Sequence, residues 1–293
     1  MDKLELAVYI GRGDGHEEIN AQPLRALSAT LDRDPAAWNG GDPVPAAWQW
    51  LYFLPETPQS LLEADGHPRR GGSLPAASST RRMFAGARMT FHRPLRVGAR
   101  VYRESSVLDV ARKQGRAGSL VFVTLRFVYR DDEGPVLEEE QDIVFRETGR
   151  VEIPSAIETE PPAAQWNGSI TTDPVLLFRF SALTFNAHRI HYDQSYALQE
   201  GYPGLLVHGP LVAILLLELA ARNAGNRKVG KFSFRAHAPI CSGTRIALRG
   251  DPDRNGKRAV LGAWRCDGVR AMTAELTFAD GGRGTPLMHV PHN

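Results

Sequence analysis

The sequence predicts an α+β fold made of two similar halves, each with an antiparallel sheet packed around a helix. Residues 89–146 and 231–279 each contain a series of strand-like runs separated by turn residues, which is typical of an antiparallel meander. Between them, residues 210–221 form the most apolar run of the chain. The pattern P-x-x-x-G-x-R-[VI] occurs at 94–101 and at 239–246, each time next to a meander and downstream of an apolar segment. This shared order of elements indicates duplicated halves.

The first half is predicted to span residues 1–150. Near its start, residues 23–31 are predicted to form a short amphipathic helix. The aromatic run PVPAAWQWLYFL, residues 43–54, favours a second helix, and the Gly-, Pro- and Ser-rich residues 56–80 are predicted to be a loop. The strands of this half are predicted at 89–95, 100–110, 119–129 and 136–146.

A linker is predicted at 151–173, where Pro, Thr and Ser are frequent and no period is sustained. The second half, residues 174–293, begins with a predicted strand at 176–183. A histidine-rich polar loop and a short polar helix at 194–199 follow. The remaining strands are predicted at 231–240, 244–250, 257–266 and 269–279.

The apolar run that begins at Pro210 is predicted to be a helix enclosed by other protein. Proline suits the first turn of a helix, where its missing N–H has no intrahelical partner to lose. Between Leu211 and Ala221 the only polar residue is Glu218, so the helix is apolar nearly all round. It is too short to cross a bilayer, which needs about 20 residues. We therefore expect a sheet to wrap it.

Charge and cysteine content argue against a nucleic-acid-binding or membrane-binding protein and against a disulfide scaffold. The formal net charge of +2 at pH 7 gives no general reason to expect nucleic acid or a membrane as a partner. Cys241 and Cys266 lack metal-ligand spacing, so we expect two buried free thiols rather than a disulfide scaffold. The N-terminal segment lacks the apolar core of a targeting signal, which predicts a cytoplasmic protein.

The run T-F-N-A-H-R-I-H-Y-D, residues 184–193, resembles a loop of the MaoC-like acyl-thioester hydratases and dehydratases, which have the hotdog fold. In that family a loop of the form G-D-x-N-P-x-H precedes H-G-x-L at the start of the buried helix. Residues 185–191 and 208–211 match this order and spacing. The N-terminal half is also similar, through W-Q-W-L-Y-F at 48–53 and D-G-H-P at 65–68. The resemblance is to a two-hotdog branch that includes mesaconyl-CoA and itaconyl-CoA hydratases and type 2 hydroxyacyl-thioester dehydratases.

This resemblance implies a double hotdog, a pseudo-dimer in one chain, with two antiparallel sheets that each wrap a helix. It implies a hydro-lyase that adds water to an enoyl-CoA thioester, or removes it from a 3-hydroxyacyl-CoA, with a short branched or dicarboxylic acyl group. Coenzyme A is then part of the substrate, and no cofactor and no metal is expected. The implied catalytic residues are His191, Asn186 and Gly209, and the implied substrate-binding residues are His188, Arg189, His208 and Pro210.

One residue departs from the wider family, which has an aspartate at the position of Asn186. An amide cannot take a proton, so Asn186 can only orient a water molecule or a substrate oxygen. His191 is then the one matched residue able to act as general base or acid. The N-terminal half has no second copy of either motif, so we expect one active site, with the first half supplying acyl-chain wall and coenzyme contacts.

The residue types suit the chemistry of water addition. A base must activate water for attack at the β carbon, and an acid must protonate the α carbon. Histidine suits both because its unperturbed pKa lies near working pH. The thioester oxygen must also be stabilised as it gains charge. The backbone N–H of Gly209, at the positive end of the helix, suits that task.

Structural interpretations compete with the catalytic ones. Asn186 could form an Asx-turn, and His188 and Arg189 could fix the loop by hydrogen bonding. His208 could cap the helix, and Gly209 could be a turn glycine. The basic group Arg69, Arg70, Arg81 and Arg82 could meet the phosphates of coenzyme A, but a solvated basic edge is the favoured interpretation.

Other functions also fit the sequence. One is dehydration of a 3-hydroxyacyl thioester on acyl carrier protein in fatty-acid synthesis. Another is a non-catalytic acyl-thioester binding protein, with Asn186 as a sign of decay. A thioesterase is disfavoured because no acidic residue lies between Phe178 and Tyr192. Two hotdogs in one chain already imitate the usual dimer of the family, so either a monomer or a homo-oligomer fits.

Overall fold

The computed structural model describes residues 15–35, 38–69, 80–115, 118–147, 160–280 and 284–287. Residues 151–159 of the predicted linker lie outside these ranges. The helices are α1 (Gln22–Thr30), α2 (Pro174–Leu183), α3 (Gln194–Gln199) and α4 (Gly209–Ala224). The strands are β1 (Gly15–Glu18), β2 (Thr80–Phe91), β3 (Arg100–Gly115), β4 (Gly118–Asp131), β5 (Gly134–Glu147), β6 (Trp166–Thr171), β7 (Lys228–Ala236), β8 (Arg245–Pro252), β9 (Arg258–Arg265), β10 (Arg270–Phe278) and β11 (Thr285–Pro286).

The strands join into one antiparallel sheet in the order β1-β3-β4-β5-β2-β7-β10-β9-β8-β6, with β11 paired to β7. This order is the same read from either end, since β2, β3, β4 and β5 occupy the places that β7, β8, β9 and β10 occupy in the other half. The halves meet where β2 pairs with β7, from Gly86 opposite Arg235 to Thr90 opposite Lys231. The predicted α+β double hotdog is confirmed, with its two sheets continuous across this seam.

The sequence repeat has a matching backbone feature in each half. Gly98 lies two residues before β3 and Gly243 two residues before β8, and both have φ of +83°. Glycine adopts this left-handed conformation without steric cost, whereas other residues are strained there. The repeated glycine therefore marks the same turn into the meander on both sides, as expected of a duplication.

Helix α4 is the buried helix that the sequence predicts. Every residue from Leu211 to Ala221 is buried, and the helix packs against β8, β6, β9, β10 and β2. Each fully buried leucine contributes about 1.5–3 kcal/mol. Its one acidic residue, Glu218, forms an ion pair with Arg33, which follows α1. Burial lowers the pKa of Arg33 to about 10, so it remains cationic at neutral pH and pairs the buried carboxylate.

The predicted strand at 176–183 is wrong, because this segment is helix α2. The side chain of Asp173 accepts a hydrogen bond from the N–H of Leu176 at 2.8 Å, and Pro174 occupies the first turn. Both are signals of a helix start. A short apolar run alone does not distinguish a strand from a buried helix, which is why the periodicity was misleading.

The predicted helix at 43–54 is also wrong. Only Trp48–Leu51 are helical, as a single 3₁₀ turn. Ala47 and Phe53 on either side have positive φ angles of 68° and 53°, which end the turn in both directions. Among the described residues of the first half, no helix is as long as α4.

Two further strand boundaries differ from the predictions. Strand β2 begins at Thr80, inside the predicted loop, and β6 lies inside the predicted linker, where it pairs with β8. Cys241 and Cys266 are free thiols as predicted, but Cys241 is half-buried and Cys266 is exposed. Within the described chain, no helix is both long and apolar enough to span a bilayer.

Candidate active site

A cavity of about 910 Å³ opens between the two halves of the molecule. The second half lines it with the histidine-rich loop and the start of α4, and the first half lines it with β2, β5 and the loop around His67. Cavities of about 300–1,000 Å³ are usual for small-molecule ligands. The predicted catalytic residues His191, Asn186 and Gly209 all line this one cavity.

The loop before α3 is fixed by its own hydrogen bonds. The side-chain oxygen of Asn186 accepts the N–H of His188 at 3.0 Å, so the Asx-turn interpretation holds. This contact occupies the oxygen, so the amide nitrogen of Asn186 is the group suited to hold an oxygen in the cavity. The chain then forms a 3₁₀ turn at Arg189–His191, and Asp193 caps α3 by accepting the N–H of Tyr196 at 3.0 Å.

His191 is held in one tautomer by the backbone. Its Nδ1 lies 2.8 Å from the carbonyl oxygen of Leu206, which can only accept, so Nδ1 carries the proton and Nε2 is an acceptor. The residue is 8% exposed. Burial lowers the pKa of His191 to about 4, although the bond to Leu206 acts in the opposite direction. His191 is therefore a neutral base at physiological pH.

His208 supports His191 from behind. The two rings stack with centroids 3.7 Å apart and an angle of 19° between planes. Nε2 of His208 lies 2.9 Å from the hydroxyl of Ser181, and its Nδ1 has no hydrogen-bond partner among the described residues. His208 precedes α4 but makes no side-chain capping bond. It is 1% exposed and is not among the residues that line the cavity, so its place is a packing position.

Gly209 and Pro210 begin α4 at the wall of the cavity. At the first position of a helix, the Gly209 N–H has no intrahelical acceptor and is available to a ligand. A methyl group added at Gly209 would come no closer than 4.0 Å to Phe84, so the protein itself does not demand glycine here.

The other two predicted contact residues lie apart from each other. His188 lines the cavity, where burial lowers its pKa well below the usual value. Arg189 is not among the lining residues. Its guanidinium binds Asp193 at 2.7 Å and the carbonyl of Ala64 at 3.0 Å, so it ties the loop to the first half.

Three residues without a chemical role predicted from the sequence reach the site from the first half: Asp65, Gly66 and His67. His67 lines the cavity with its ring centroid 4.2 Å from that of His188. Gly66 has a φ of +91°, and a Cβ there would lie 1.8 Å from the carbonyl oxygen of Ala187. The D-G-H-P motif was the signal in the sequence that could have pointed to these residues. A glycine in a loop is typical of places where the backbone approaches another group closely.

Comparison with known proteins identifies the family. Residues 47–242 match hydroxyacyl-thioester dehydratase type 2. The chain belongs to this family. Mesaconyl-C(4)-CoA hydratase of Chloroflexus aurantiacus is 47% identical over 279 residues, which are 94% of this chain and 99% of that protein.

Solved structures agree on the fold. HtdX of Mycobacterium tuberculosis has a TM-score of 0.65 at 18% identity, covering 91% of this chain and 100% of that one. A MaoC-like dehydratase from Phytophthora capsici has a TM-score of 0.61 at 13% identity, covering 93% of this chain and 98% of that one. The predicted family, fold and hydro-lyase class are confirmed. The carrier-protein and non-catalytic alternatives are not favoured.

The basic residues of this family member divide between surface and cavity. Arg81 and Arg82 are half-buried and line the cavity, and Arg81 binds Glu200 at 2.6 Å. Arg69 is exposed, and Arg70 lies outside the described residues. The interpretation as a solvated basic edge therefore fits Arg69, whereas Arg81 and Arg82 on β2 face the cavity.

Asp65, His67 and His188 each offer one ligand atom within 4.8 Å of the others, a spacing that a metal ion would also fit. The carboxylate of Asp65 lies 3.1 Å from Nδ1 of His67, and a hydrogen bond explains this distance without a metal. The expected absence of a metal stays a prediction.

The buried histidines predict a pH-dependent stability. The pKa values of His188, His191 and His208 are all lowered by burial, so the unfolded chain binds these protons first as the pH falls. The free energy of unfolding should therefore decrease below pH 6.5. The fall to about 4 for His191 alone corresponds to roughly 3 kcal/mol. Urea unfolding between pH 7.5 and 4.5 measures this.

The His191→Gln variant should lose its share of this pH dependence. His92, an exposed histidine that contacts Glu138 outside the cavity, gives the matched control His92→Gln, which should retain it. An unfolding free energy that stays constant from pH 7.5 to 4.5 in the unmodified protein would contradict the assignment of neutral buried imidazoles.

Proposed function

We propose that this chain hydrates a short, branched dicarboxylic enoyl-CoA thioester of the mesaconyl type, with His191 as base and the Gly209 N–H as oxyanion donor. The observation that carries the proposal is that an imidazole fixed with Nε2 as acceptor and an open helix N-terminus line the same cavity. The acyl type comes from the 47% identical relative, whose name states mesaconyl-C(4)-CoA as its substrate.

The charge of the cavity supports an anionic acyl group. Three arginines line it, and none of its described lining residues is Asp or Glu. The arginines are Arg81, Arg82 and Arg146. Guanidinium groups suit both the distal carboxylate of a mesaconyl group and the phosphates of coenzyme A. Apolar residues such as Phe84 and Ile143 provide wall for the methyl branch.

The mechanism follows from the geometry. Nε2 of His191 accepts a proton from water as the water oxygen attacks the β carbon. The electrons of the double bond move toward the α carbon and the thioester oxygen, where the Gly209 N–H stabilises the developing charge. The Asn186 amide holds the water oxygen, because its own oxygen is occupied by His188. A proton added at the α carbon completes the hydrated product.

A substrate panel tests the proposal. The purified protein is given mesaconyl-C(4)-CoA, its C(1) isomer, crotonyl-CoA and a long-chain 2-enoyl-CoA, and loss of enoyl-thioester absorbance is followed. We expect mesaconyl-C(4)-CoA to have the highest kcat/KM, at least about 10-fold above that of crotonyl-CoA. Crotonyl-CoA lacks the distal carboxylate, so the arginines that would pair with it are left without a partner from the substrate. A preference for the long chain, or hydration of none, would refute it. The cytoplasmic location, the lack of a cofactor and the assembly state stay predictions.

A further inference from the structure

We propose that Asp65 and His67 form a second acid–base group of the active site, which protonates the α carbon while His191 takes the proton of water. The first half would then supply a catalytic residue rather than only a wall for the acyl chain. This inference rests on the proposed hydration, because it assigns the acid for that reaction.

The two residues form a hydrogen-bonded dyad. Nδ1 of His67 lies 3.1 Å from one carboxylate oxygen of Asp65, and the backbone N–H of His67 donates to the other at 2.9 Å. Their side chains are 16% and 13% exposed. A carboxylate on one ring nitrogen fixes the tautomer and stabilises the imidazolium. Because Nδ1 faces the carboxylate, the proposal assigns proton exchange with substrate to Nε2.

The dyad is held against the catalytic loop by backbone contacts. The carbonyl of Asp65 accepts the N–H of Arg189 at 3.0 Å, and the carbonyl of Ala64 accepts from the Arg189 guanidinium at 3.0 Å. Gly66 lies directly against the carbonyl of Ala187. These contacts fix the position of His67 relative to His191, although the two residues are far apart in the sequence.

Three imidazoles form a row along the cavity. The ring centroids of His67 and His188 are 4.2 Å apart, and those of His188 and His191 are 5.5 Å apart. Burial lowers the pKa of His188 and His191, so both are neutral at physiological pH. At the other end of the row, the carboxylate of Asp65 lies beside His67 and favours the protonated form of that ring. The row therefore has the proposed base, His191, at one end and the proposed acid, His67, at the other.

Other charged groups surround this row. Arg82 on β2 acts on His188 and further lowers its pKa, as does His67 itself. His208 lies behind His191, and Glu63 donates its N–H to the carbonyl of His67. Asp65 is the carboxylate for which the described structure shows a hydrogen bond to the His67 ring.

The reaction needs such a group. Asn186 cannot donate a proton to carbon under these conditions, and neutral His191 has no proton on Nε2. In the proposed step, water forms the bond to the β carbon and loses a proton to Nε2 of His191. The electron pair of the double bond takes a proton from Nε2 of His67 and forms the α C–H bond. His191 then holds the proton taken from water, and His67 lacks the proton given to the α carbon. Passage of one proton from His191 to His67 by way of His188 restores both residues.

The test uses the variants His67→Gln and Asp65→Asn in the full chain, with whichever enoyl-CoA the unmodified protein hydrates. We expect His67→Gln to lower kcat by about 100-fold with KM changed less than about 3-fold. It should also remove the alkaline limb of the pH profile of kcat, where the acid loses its proton. Asp65→Asn should shift that limb to lower pH, because the imidazolium loses its carboxylate. His92→Gln is the matched control and should leave both measurements unchanged.

Each result is decisive. A His67→Gln protein with unchanged kcat and pH profile overturns the dyad. So does activity that a chelator abolishes and Zn²⁺ restores, because the three side chains would then act on a metal. Thermal unfolding of both variants checks folding, and if His67→Gln does not fold, the Asp65→Asn pH shift decides alone. Failure of the unmodified protein to hydrate any enoyl-CoA is a failure of the proposed function instead.

Discussion

Replacing His191 with alanine should lower kcat for hydration by about 10²–10⁴-fold, the usual contribution of a positioned acid or base. The ring is fixed by the Leu206 carbonyl and stacked on His208, so nearby groups cannot readily move into its place. KM should change little, because the arginines and apolar walls that hold the substrate are untouched. Steady-state kinetics with the best substrate of the panel measures both quantities.

The control for this variant is His92→Ala, which removes an exposed imidazole that does not line the cavity. It should have the kcat of the unmodified protein. Binding of the hydrated product to His191→Ala, followed by calorimetry, separates a chemical defect from a collapsed site. Unchanged turnover in His191→Ala would remove the residue from the mechanism and with it the proposed catalytic centre.

Replacing Gly66 with alanine should reduce kcat/KM by about 100-fold, although residue 66 makes no contact that the chemistry requires. The new Cβ would lie 1.8 Å from the carbonyl oxygen of Ala187, so the two loops must move apart. A displacement of about 1 Å at a catalytic site is enough for a loss of this size. The same kinetic assay measures it.

Gly41→Ala is the matched control, because Gly41 also has a positive φ, of +86°, but no atom within 4 Å of the added Cβ. Both variants carry the backbone strain, which costs about 1–3 kcal/mol of stability. Only Gly66→Ala carries the collision. If the two variants lose activity equally, the contact between the loops does not position the site.

Much of the fold could be predicted because its main elements have strong patterns. Helix α4 is apolar nearly all round and the meanders alternate, so both follow from residue type alone. The strand prediction at 176–183 was wrong because a short apolar run fits a strand and a buried helix equally well. The capping bond of Asp173, which decides between them, is a three-dimensional contact that the pattern does not show. The helix prediction at 43–54 was wrong because Ala47 and Phe53 adopt positive φ angles. These left-handed conformations interrupt an apolar run whose composition favours a helix.

The candidate site was only partly visible in the sequence. His191, Asn186 and Gly209 are close in the chain, and motif spacing brought them together. The bond from His191 to Leu206 and the stacking on His208 depend on how the loop folds back, which spacing does not encode. His67 lies more than a hundred residues earlier, and contacts between the halves bring it beside the loop, among them the pairing of β2 with β7 and the bond from the Arg189 N–H to Asp65.

The continuity of the sheet across β2 and β7 has an evolutionary consequence. In a symmetric dimer of identical subunits, every substitution appears twice, so neither copy can specialise without the other. Fusion into one polypeptide removes that restriction. One repeat could then keep the long buried helix α4 while the aromatic segment of the other formed only a single turn at Trp48–Leu51. Asymmetry of this kind is inherited in one gene and needs no partner to preserve it.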